Sequence, residues 1–347
     1  MLQILRANDK VEAHLWDALI DSLPPNRRDI HFTSSYGRVQ EVLGGESLLA
    51  VMRRDDMLIA QPFIVRATPY DAQWSDLCSP YGYGGFVTNG EWVFDLAIEF
   101  RKAKISWCMD NNIVSEFCYV HPRVGGIAGA DDVHLVKDII LIDLSKFSEA
   151  TVARRIRRGV IKARAMSGGM IQLHDQPIAR ERFASLYDMA MILKHASGRW
   201  RFPRAYLDAH YDELNAKLFY VTNDEGGARI LMVVGAYGTA YAHFLGSNGL
   251  SMQGGLDELL YCEAARWLRE HDYEYFHLGG GLTDAPDDPL LFFKSGFSPT
   301  RHKVASYGRV YNDHAYQKLT GQKMAEEYSH NGAVSTSVFF PAYRREV

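Results

Sequence analysis

Two predicted β-hairpins of the same design lie far apart in the chain. In each, an apolar run is followed by a short polar turn and then by a second run of apolar and β-branched residues. Such runs, separated by Asp, Asn and Gly residues, are typical of antiparallel hairpins. The strands and turns are Leu48–Met52, Arg53–Asp56 and Met57–Val65 in the first hairpin, and Leu218–Val221, Asn223–Gly227 and Ile230–Ala236 in the second.

The order of elements after each hairpin is also repeated. A third strand (Gln73–Cys78 or Thr239–Leu245) leads into a glycine-rich loop (Ser79–Gly85 or Gly246–Gly255), and a helix and another strand follow. The helix that begins at Leu256 is the clearer one, because its apolar residues recur at helical spacing. This repeated order predicts two tandem α/β domains, each with a mixed sheet.

The boundary between the two domains is predicted from the elements that separate the repeats. An apolar strand, Lys137–Leu144, is followed by a helix from about Ser148 to Ser167. We therefore predict a first domain at residues 1–144 and a second at residues 145–347. After the second repeat the pattern predicts one more strand, Lys303–Val310, which we assign to the second domain.

The overall composition limits the partners of the chain. Its 347 residues carry a formal net charge of -4, so no general positive field attracts DNA or an anionic membrane. The four cysteines lack C-x-x-C spacing, which favours reduced thiols. We find no apolar run long enough to cross a bilayer and no signal-peptide layout. The expectation is a cytoplasmic protein without a transmembrane span, in which any basic site is local.

A glycine-rich stretch in the second repeat is the first candidate site. The strand Tyr275–Leu278 is followed by the glycines 279–281, and Lys294 stands nearby among aromatic residues. Glycines directly after a strand let the backbone approach a ligand, and a nearby lysine can meet an anion. An equally compatible interpretation is a loop that closes the strand, with the lysine stem covering aromatic rings.

The glycine-rich loop of the first repeat is the second candidate site. Ser79–Gly85 combines three glycines with Tyr81 and Tyr83. Backbone amides that point inward and phenols with polar tips suit a small polar substrate. A tight turn with packed tyrosines is an equally good interpretation.

A strongly basic helix is the third candidate site. An apolar stripe that includes Val152, Ile156 and Val160 leaves the remaining positions of this helix to cations. Such a local cluster suits a polyanion, either an RNA backbone or a nucleotide phosphate. The alternative is a solvated helix face that pairs with acidic residues elsewhere. The cations are Arg154, Arg155, Arg157, Arg158, Lys162 and Arg164.

Metal-dependent and nucleophilic chemistries are not indicated by the sequence. The 13 histidines include no H-E-x-x-H motif, and no G-x-S-x-G motif occurs. We therefore predict no metal site.

Several motifs together resemble the FemAB/FemX family of peptidyl aminoacyltransferases. They are Ser-Pro-Tyr-Gly-Tyr-Gly-Gly (Ser79–Gly85), the basic segment Arg154–Ala163, and Leu-Gly-Gly-Gly followed by Phe-Lys-Ser-Gly-Phe (Leu278–Gly281 and Phe293–Phe297). The resemblance implies two GNAT-like (acyl-CoA N-acyltransferase-like) domains. It also implies transfer of an amino acid from aminoacyl-tRNA to an amine of a peptide, muropeptide or small-molecule acceptor. No long paired-helix insertion is present, so we expect a compact member that has peripheral access to a lipid-linked acceptor.

The resemblance also implies a role for Lys294, which would stabilise phosphate or developing oxyanion charge. For the mechanism we expect Tyr81, Tyr83 or a phosphate of the substrate to relay a proton. Asp284 is the preferred base, with Asp287 and Asp288 as alternatives. The residues predicted to bind substrate are Ser79, Gly84, Gly85, Gly279, Gly280 and Phe293, and those predicted to bind tRNA phosphates are Arg154, Arg155, Arg158 and Lys162.

Two other functions remain open at this point. An acyl-CoA-dependent GNAT N-acyltransferase would need a glycine loop that binds pyrophosphate, and the spacing after Gln253 does not fit the usual motif. A non-catalytic RNA- or nucleotide-binding protein would use only the basic helix. In the preferred interpretation aminoacyl-tRNA is a co-substrate and no further cofactor is expected.

Overall fold

The protein is described by a computed structural model, apart from residues 91–93, 127–132, 168–171, 174–176, 252–253, 284, 286, 332–338 and 346–347. Two compact units are present. Unit 1 comprises Met1–Val136 and Val304–Val347, and unit 2 comprises Lys137–Lys303. In the described part of the chain, no helix is both long and apolar enough to cross a membrane.

The described residues form both strands and helices. The strands are β1 (Gln3–Arg6), β2 (Glu46–Arg54), β3 (Met57–Ala67), β4 (Ser75–Cys78), β5 (Val87–Thr88), β6 (Ile113–Val120), β7 (Val133–Asp143), β8 (Gln172–Leu173), β9 (Lys217–Thr222), β10 (Ala228–Ala236), β11 (Thr239–Ser247), β12 (Tyr275–Gly280) and β13 (Arg301–Val310). The helices are α1 (Lys10–Asp21), α2 (Ser34–Glu41), α3 (Phe94–Asp110), α4 (Arg154–Ser167), α5 (Pro177–Leu193), α6 (Arg204–Leu214), α7 (Leu256–Glu270), α8 (Pro289–Lys294) and α9 (Asp313–Asn331).

Unit 1 is built on a mixed sheet with the strand order β1-β2-β3-β4-β6-β13. The predicted hairpin is formed by β2 and β3, which pair from Glu46–Val65 to Arg54–Met57. Asp55 takes a positive φ of 54° at the turn, as a tight hairpin turn requires. β4 and β6 run parallel, with α3 between them in sequence, so the repeat contains the predicted crossover. Apolar side chains of β2, β3 and α3 form the core.

Unit 2 repeats this arrangement, with the strand order β7-β12-β11-β10-β9-β8. β9, β10 and β11 are antiparallel neighbours, whereas β11 and β12 are parallel and are joined through α7. On one face of the sheet, α4 and α7 bury their apolar stripes against alternate strand residues. α5 packs against β10 and β11, where the Tyr187 ring lies 5.4 Å from that of Phe244.

The C-terminal segment belongs to unit 1, although the sequence pattern assigned it to the second domain. From Ala305 to Val310, β13 pairs antiparallel with β6. The Tyr307 hydroxyl also donates to Glu116 at 2.9 Å. These contacts cannot be read from an order of elements, because they join residues nearly 200 positions apart in the chain. The unit boundary falls at Val136/Lys137, inside β7.

Several elements lie where the sequence pattern gave no prediction, or differ from it in length. β1, α1, α2, α5 and α6 were not predicted. α4 begins at Arg154 rather than near Ser148, because Ser148 and Thr151 form a hydrogen-bonded turn before it. Lys294 lies at the end of the short helix α8, within the stretch interpreted as a turn.

A buried ion pair in unit 1 gives a testable expectation for stability. Lys104 on α3 donates to Glu116 on β6 at 2.6 Å, and both side chains are buried. Replacing Lys104 with Met should lower the free energy of unfolding by about 3–5 kcal/mol, because the buried Glu116 carboxylate would keep its hydrogen bonds from neutral groups such as Tyr307 but lose the cation that balances its charge. Urea unfolding would measure the change.

The exposed pair of Arg54 and Glu99, at 2.8 Å, provides a matched control for that variant. Replacing Arg54 with Met should cost less than about 1 kcal/mol, because solvent screens the pair. If Lys104→Met and Arg54→Met lowered the free energy of unfolding equally, this would contradict a structural role for the buried pair.

Candidate active site

The candidate site in unit 2 lies where β11 and β12 separate. The two parallel strands pair only from Thr239–Tyr275 to Tyr241–His277, although β11 continues to Ser247 and β12 to Gly280. Beyond these pairs, the two strands no longer pair with each other through their backbones. An opening between parallel strands at their carboxyl ends is a common place for ligands in α/β folds.

A β-bulge in β11 marks the start of this opening. Met232 pairs with Phe244 and Val233 pairs with Ala242, so His243 is the extra residue. The Nε2 atoms of His243 and His210 are 2.9 Å apart, and His210 Nδ1 lies 2.8 Å from the Tyr206 carbonyl oxygen. The Nδ1–H group of His210 therefore donates to that carbonyl, and its Nε2 accepts from His243. Burial lowers the pKa of His210 to about 4, which keeps it neutral in this role.

The end of β12 is shaped by glycine. Gly279 has a φ of 77°, which favours glycine, and its N–H donates to His277 Nδ1 at 3.0 Å. The pairing with β7 shifts by one residue between His277 and Gly279. The Gly280 carbonyl is thereby directed to the Nζ of Lys294, which donates to it at 2.7 Å.

The side chain of Lys294 is buried, and among the described residues its amine makes few polar contacts. Its side chain is 8% exposed, and among the described residues no carboxylate lies within ion-pair distance of it. Burial, followed by repulsion from Lys137, lowers the pKa of Lys294 to about 7. Asp288 opposes this shift, whereas Lys194 adds to it. A buried amine with two further lysines in its electrostatic surroundings favours binding of an anion.

Asp288 holds the helix that carries Lys294. Its Oδ1 accepts from the Leu291 N–H at 2.9 Å, as an N-cap does. Its Oδ2 accepts from Leu282 N at 3.0 Å and from the N–H and hydroxyl groups of Thr283. The hydrogen bond from Leu291, with the others, lowers the pKa of Asp288 to about 2. Asp288 is therefore a structural cap and a poor base, and the preferred base Asp284 lies outside the described residues.

Phe293 packs inside unit 2 beside the candidate site. Its ring lies 5.9 Å from that of Tyr261 and 5.2 Å from that of Phe297, and the side chain is half-buried. The structure thus brings together four residues that the sequence motifs predicted. Gly279 and Gly280 end β12, and Phe293 and Lys294 end α8.

The predicted loop of unit 1 is held to β6 by its own polar groups. Ser79 N donates to the Phe117 carbonyl, Ser79 Oγ accepts from Tyr119 N, and Gly84 N donates to the Tyr119 carbonyl at 2.7 Å. Gly85 has a φ of 90°. These contacts give Ser79 and Gly84 a structural role in addition to the predicted one.

Tyr81 and Tyr83 lie on the same loop. Burial raises the pKa of Tyr81 to about 12 and also raises that of Tyr83, whose side chain is buried. Phenols with raised pKa values release a proton reluctantly at neutral pH. This is unfavourable to the predicted proton relay, and both residues remain predictions for unit 1.

A buried cluster that the sequence did not reveal lies beneath this loop. Asp29 Oδ1 accepts from His31 Nδ1 at 2.6 Å, and Asp29 Oδ2 lies 3.4 Å from His121 Nε2. A Cβ on Gly82 would collide with His31 Nε2, so the histidine ring fits directly against the loop backbone. The only local signal is the Asp-x-His spacing of Asp29 and His31, because His121 is far away in sequence.

This cluster has donor atoms that could hold a metal ion, since its ligand atoms lie within 4.8 Å of one another. However, His121 Nδ1 accepts from the N–H groups of Arg123 and Val124, so the ring proton is on Nε2 and faces Asp29. Both carboxylate oxygens of Asp29 are thus already facing imidazole N–H groups. The arrangement fits support of the loop better than coordination of a metal.

Five of the six cations of α4 divide into two groups, and the sixth, Arg157, donates to the Ala150 carbonyl at 3.4 Å. Arg155 donates to the Phe292 carbonyl and stacks on the Phe292 ring at 4.0 Å, so it holds the stretch around α8. Arg164 pairs with Glu149 and Glu263. By contrast, three exposed cations follow one another at i, i+4 and i+8 and have no carboxylate partner among the described residues. They are Arg154, Arg158 and Lys162.

Solved structures with the same fold include FemX, with a TM-score of 0.66 and 12% identity over 88% of this chain and 98% of that chain. A tandem GNAT protein from the clavulanic acid biosynthesis pathway has a TM-score of 0.53 and 10% identity over 90% and 99%. L-PGS from Bacillus licheniformis has a TM-score of 0.52 and 12% identity over 87% and 92%. The predicted tandem GNAT-like fold is therefore confirmed, and the resemblance to FemX holds for the fold. No sequence-family model and no curated protein matches the chain.

Removing the buried amine should stabilise the protein, most strongly at low pH. Because the pKa of Lys294 falls from 10.5 to about 7 on folding, the unfolded chain binds more protons between these values and the stability of the wild type rises with pH there. Lys294→Met lacks this dependence. Its stability advantage should shrink by about 2–3 kcal/mol between about pH 6.5 and about pH 9, measured by urea unfolding.

The exposed Lys303 offers a control of the same residue type in unit 2. Its replacement by Met should give a small stability difference without that trend. A Lys294→Met difference that stays constant with pH would contradict burial of the charged amine.

Proposed function

We propose that the protein is an aminoacyltransferase that moves an amino acid from aminoacyl-tRNA to an amine of a peptide, muropeptide or small-molecule acceptor. The main support for this proposal is the Lys294 amine. It is buried at the end of β12, where β11 and β12 separate, and among the described residues it donates a hydrogen bond to the Gly280 carbonyl and has no carboxylate partner. Holding an amine in such a place is costly, so a role in binding or catalysis is the favoured explanation.

The reaction needs stabilisation of negative charge at the transferring carbonyl. The acceptor amine attacks the ester carbon, an oxyanion forms, the nitrogen loses a proton and the ribose hydroxyl departs. In its charged form Lys294 would stabilise the oxyanion or a phosphate of the donor. Loss of one such donor group typically removes about 3–4 kcal/mol of transition-state stabilisation.

The N-terminus of α7 argues against acyl-CoA as the donor. A GNAT enzyme binds the CoA pyrophosphate with amides at this kind of helix end. Here Asp257 and Glu258 lie in the first turn, and Asp257 pairs with Arg229 at 3.1 Å, so acidic side chains already occupy the helix end that a pyrophosphate would need. A Cβ on Gly255 would collide with the Gly159 carbonyl, so α4 packs closely against this end.

The exposed cations of α4 support an RNA-linked donor. Arg154, Arg158 and Lys162 are each about 6 Å apart along the helix axis. Such a row of unpaired cations suits successive phosphates of a nucleic acid backbone. The resemblance of the sequence motifs to the FemAB/FemX family supports an amine of a peptidoglycan-type peptide as the acceptor, and the shared fold with FemX agrees with that resemblance.

Lys294→Ala should lower turnover with labelled aminoacyl-tRNA at least tenfold, because the oxyanion or phosphate would lose its cation. Lys303→Ala, which removes an exposed lysine of the same unit, should retain full turnover. Circular dichroism and thermal unfolding would verify that both variants fold. Near-normal turnover of a folded Lys294→Ala protein would remove the lysine from the mechanism.

The double variant Arg154→Gln/Arg158→Gln should raise the KM for aminoacyl-tRNA about tenfold and reduce its salt dependence, while kcat stays close to that of the wild type. Steady-state kinetics at two salt concentrations would measure both effects. The matched control is Arg53→Gln, an exposed arginine of unit 1. An unchanged KM in the double variant would exclude these arginines from donor binding.

A further inference from the structure

An exposed apolar surface lies at the C-terminal end of α5. Met189, Ile192 and Leu193 follow the i, i+3, i+4 spacing of one helix face, and they are 44%, 52% and 54% exposed. Trp200 and Leu250, at 39% and 53%, are exposed as well. Single exposed apolar residues are ordinary, whereas a group of large ones on one surface marks an interaction site.

These residues lie on segments of unit 2 that contact one another. Leu193 lies so close to Gly249 that a Cβ there would collide with its Cδ1 atom, so α5 contacts the loop that presents Leu250. The Tyr187 hydroxyl donates to the Trp200 carbonyl at 2.6 Å, which fixes the turn after α5 against the helix. His195, with a φ of 47°, reverses the chain at this point. We call the exposed residues Met189, Ile192, Leu193, Trp200 and Leu250, with Lys194 and Arg199, the α5 patch.

The charges around the α5 patch are mainly basic. The sequence from 189 to 203 contains Lys194, Arg199 and Arg201 but no Asp or Glu, and the nearby acids Asp188 and Glu225 both have hydrogen-bond partners. Arg201 pairs with Asp188 at 3.2 Å. Lys194 and Arg199 have no carboxylate partner among the described residues, and the Arg199 guanidinium lies 5.0 Å from the Trp200 ring. Two unpaired cations therefore border the apolar side chains.

We infer that the α5 patch docks the protein on the surface of an anionic lipid bilayer. Its aliphatic side chains would enter the boundary between headgroups and acyl chains, the Trp200 ring would lie at headgroup depth, and Lys194 and Arg199 would meet lipid phosphates. A membrane-facing surface needs this combination of apolar residues and cations. The net charge of -4 would repel the protein as a whole from such a bilayer, so attraction has to come from a local group of cations such as Lys194 and Arg199.

One residue of the α5 patch is electrostatically coupled to the candidate site of unit 2, because the charge of Lys194 helps to lower the pKa of Lys294. Docking would bring a lipid-linked acceptor close to the place where β11 and β12 separate. This consequence rests on the proposed function, whereas membrane docking itself does not.

Sedimentation with lipid vesicles tests the docking without any acyl donor. Wild-type protein should bind vesicles of phosphatidylglycerol and phosphatidylcholine, and binding to pure phosphatidylcholine should be at least tenfold weaker. Two double variants, Ile192→Ser/Leu193→Ser and Lys194→Gln/Arg199→Gln, should each lower the partition coefficient for anionic vesicles at least tenfold. The matched controls are Val11→Ser and Lys146→Gln, which change exposed residues away from the α5 patch and should bind like the wild type.

Three results would overturn the inference. These are no binding of the wild-type protein, equal binding of all variants, or a dimer in light scattering that the apolar double variant converts to a monomer without any vesicle binding. The last result would make the surface an interface between two copies. None of these readouts involves transfer of an acyl group, so failure here is distinguishable from failure of the proposed function.

Discussion

The hydrogen bond from the Lys294 amine to the Gly280 carbonyl is the contact on which the candidate site depends. An amine that is buried without a carboxylate destabilises the fold unless its surroundings are fixed. Asp288 fixes α8 by accepting four hydrogen bonds, and the positive φ of Gly279 directs the end of β12 to the amine. Because these two elements are held in place, unit 2 can keep the Lys294 amine in a position where it can bind an anion.

Much of the fold follows from local patterns in the sequence. The hairpins, the parallel crossovers and α7 were predicted because a buried face leaves a regular spacing of apolar residues. α5 escaped this reasoning, since exposed apolar residues such as Ile178, Ile192 and Leu193 obscure its helical period. Two of these residues, Ile192 and Leu193, also belong to the α5 patch, which we assign to membrane docking.

The candidate site was predictable only where it is local. Lys294 and its glycines stand within one motif, so their proximity could be expected. The capping role of Asp288 and the roles of the α4 cations depend on partners in other parts of the chain. Arg155, for example, donates to the Phe292 carbonyl and stacks on the Phe292 ring. The cluster of Asp29, His31 and His121 is built from two distant segments and left little signal in the sequence.

The identity of the acyl donor is the most direct test of this account. Purified wild-type protein would receive a labelled aminoacyl-tRNA pool and labelled acetyl-CoA in parallel, with muropeptide precursors and simple amines as acceptors. The account predicts that label moves from the tRNA ester to an amine and that acetyl-CoA is not used. Transfer from acetyl-CoA alone would contradict it, and would mean that the first turn of α7 accepts a pyrophosphate despite Asp257 and Glu258.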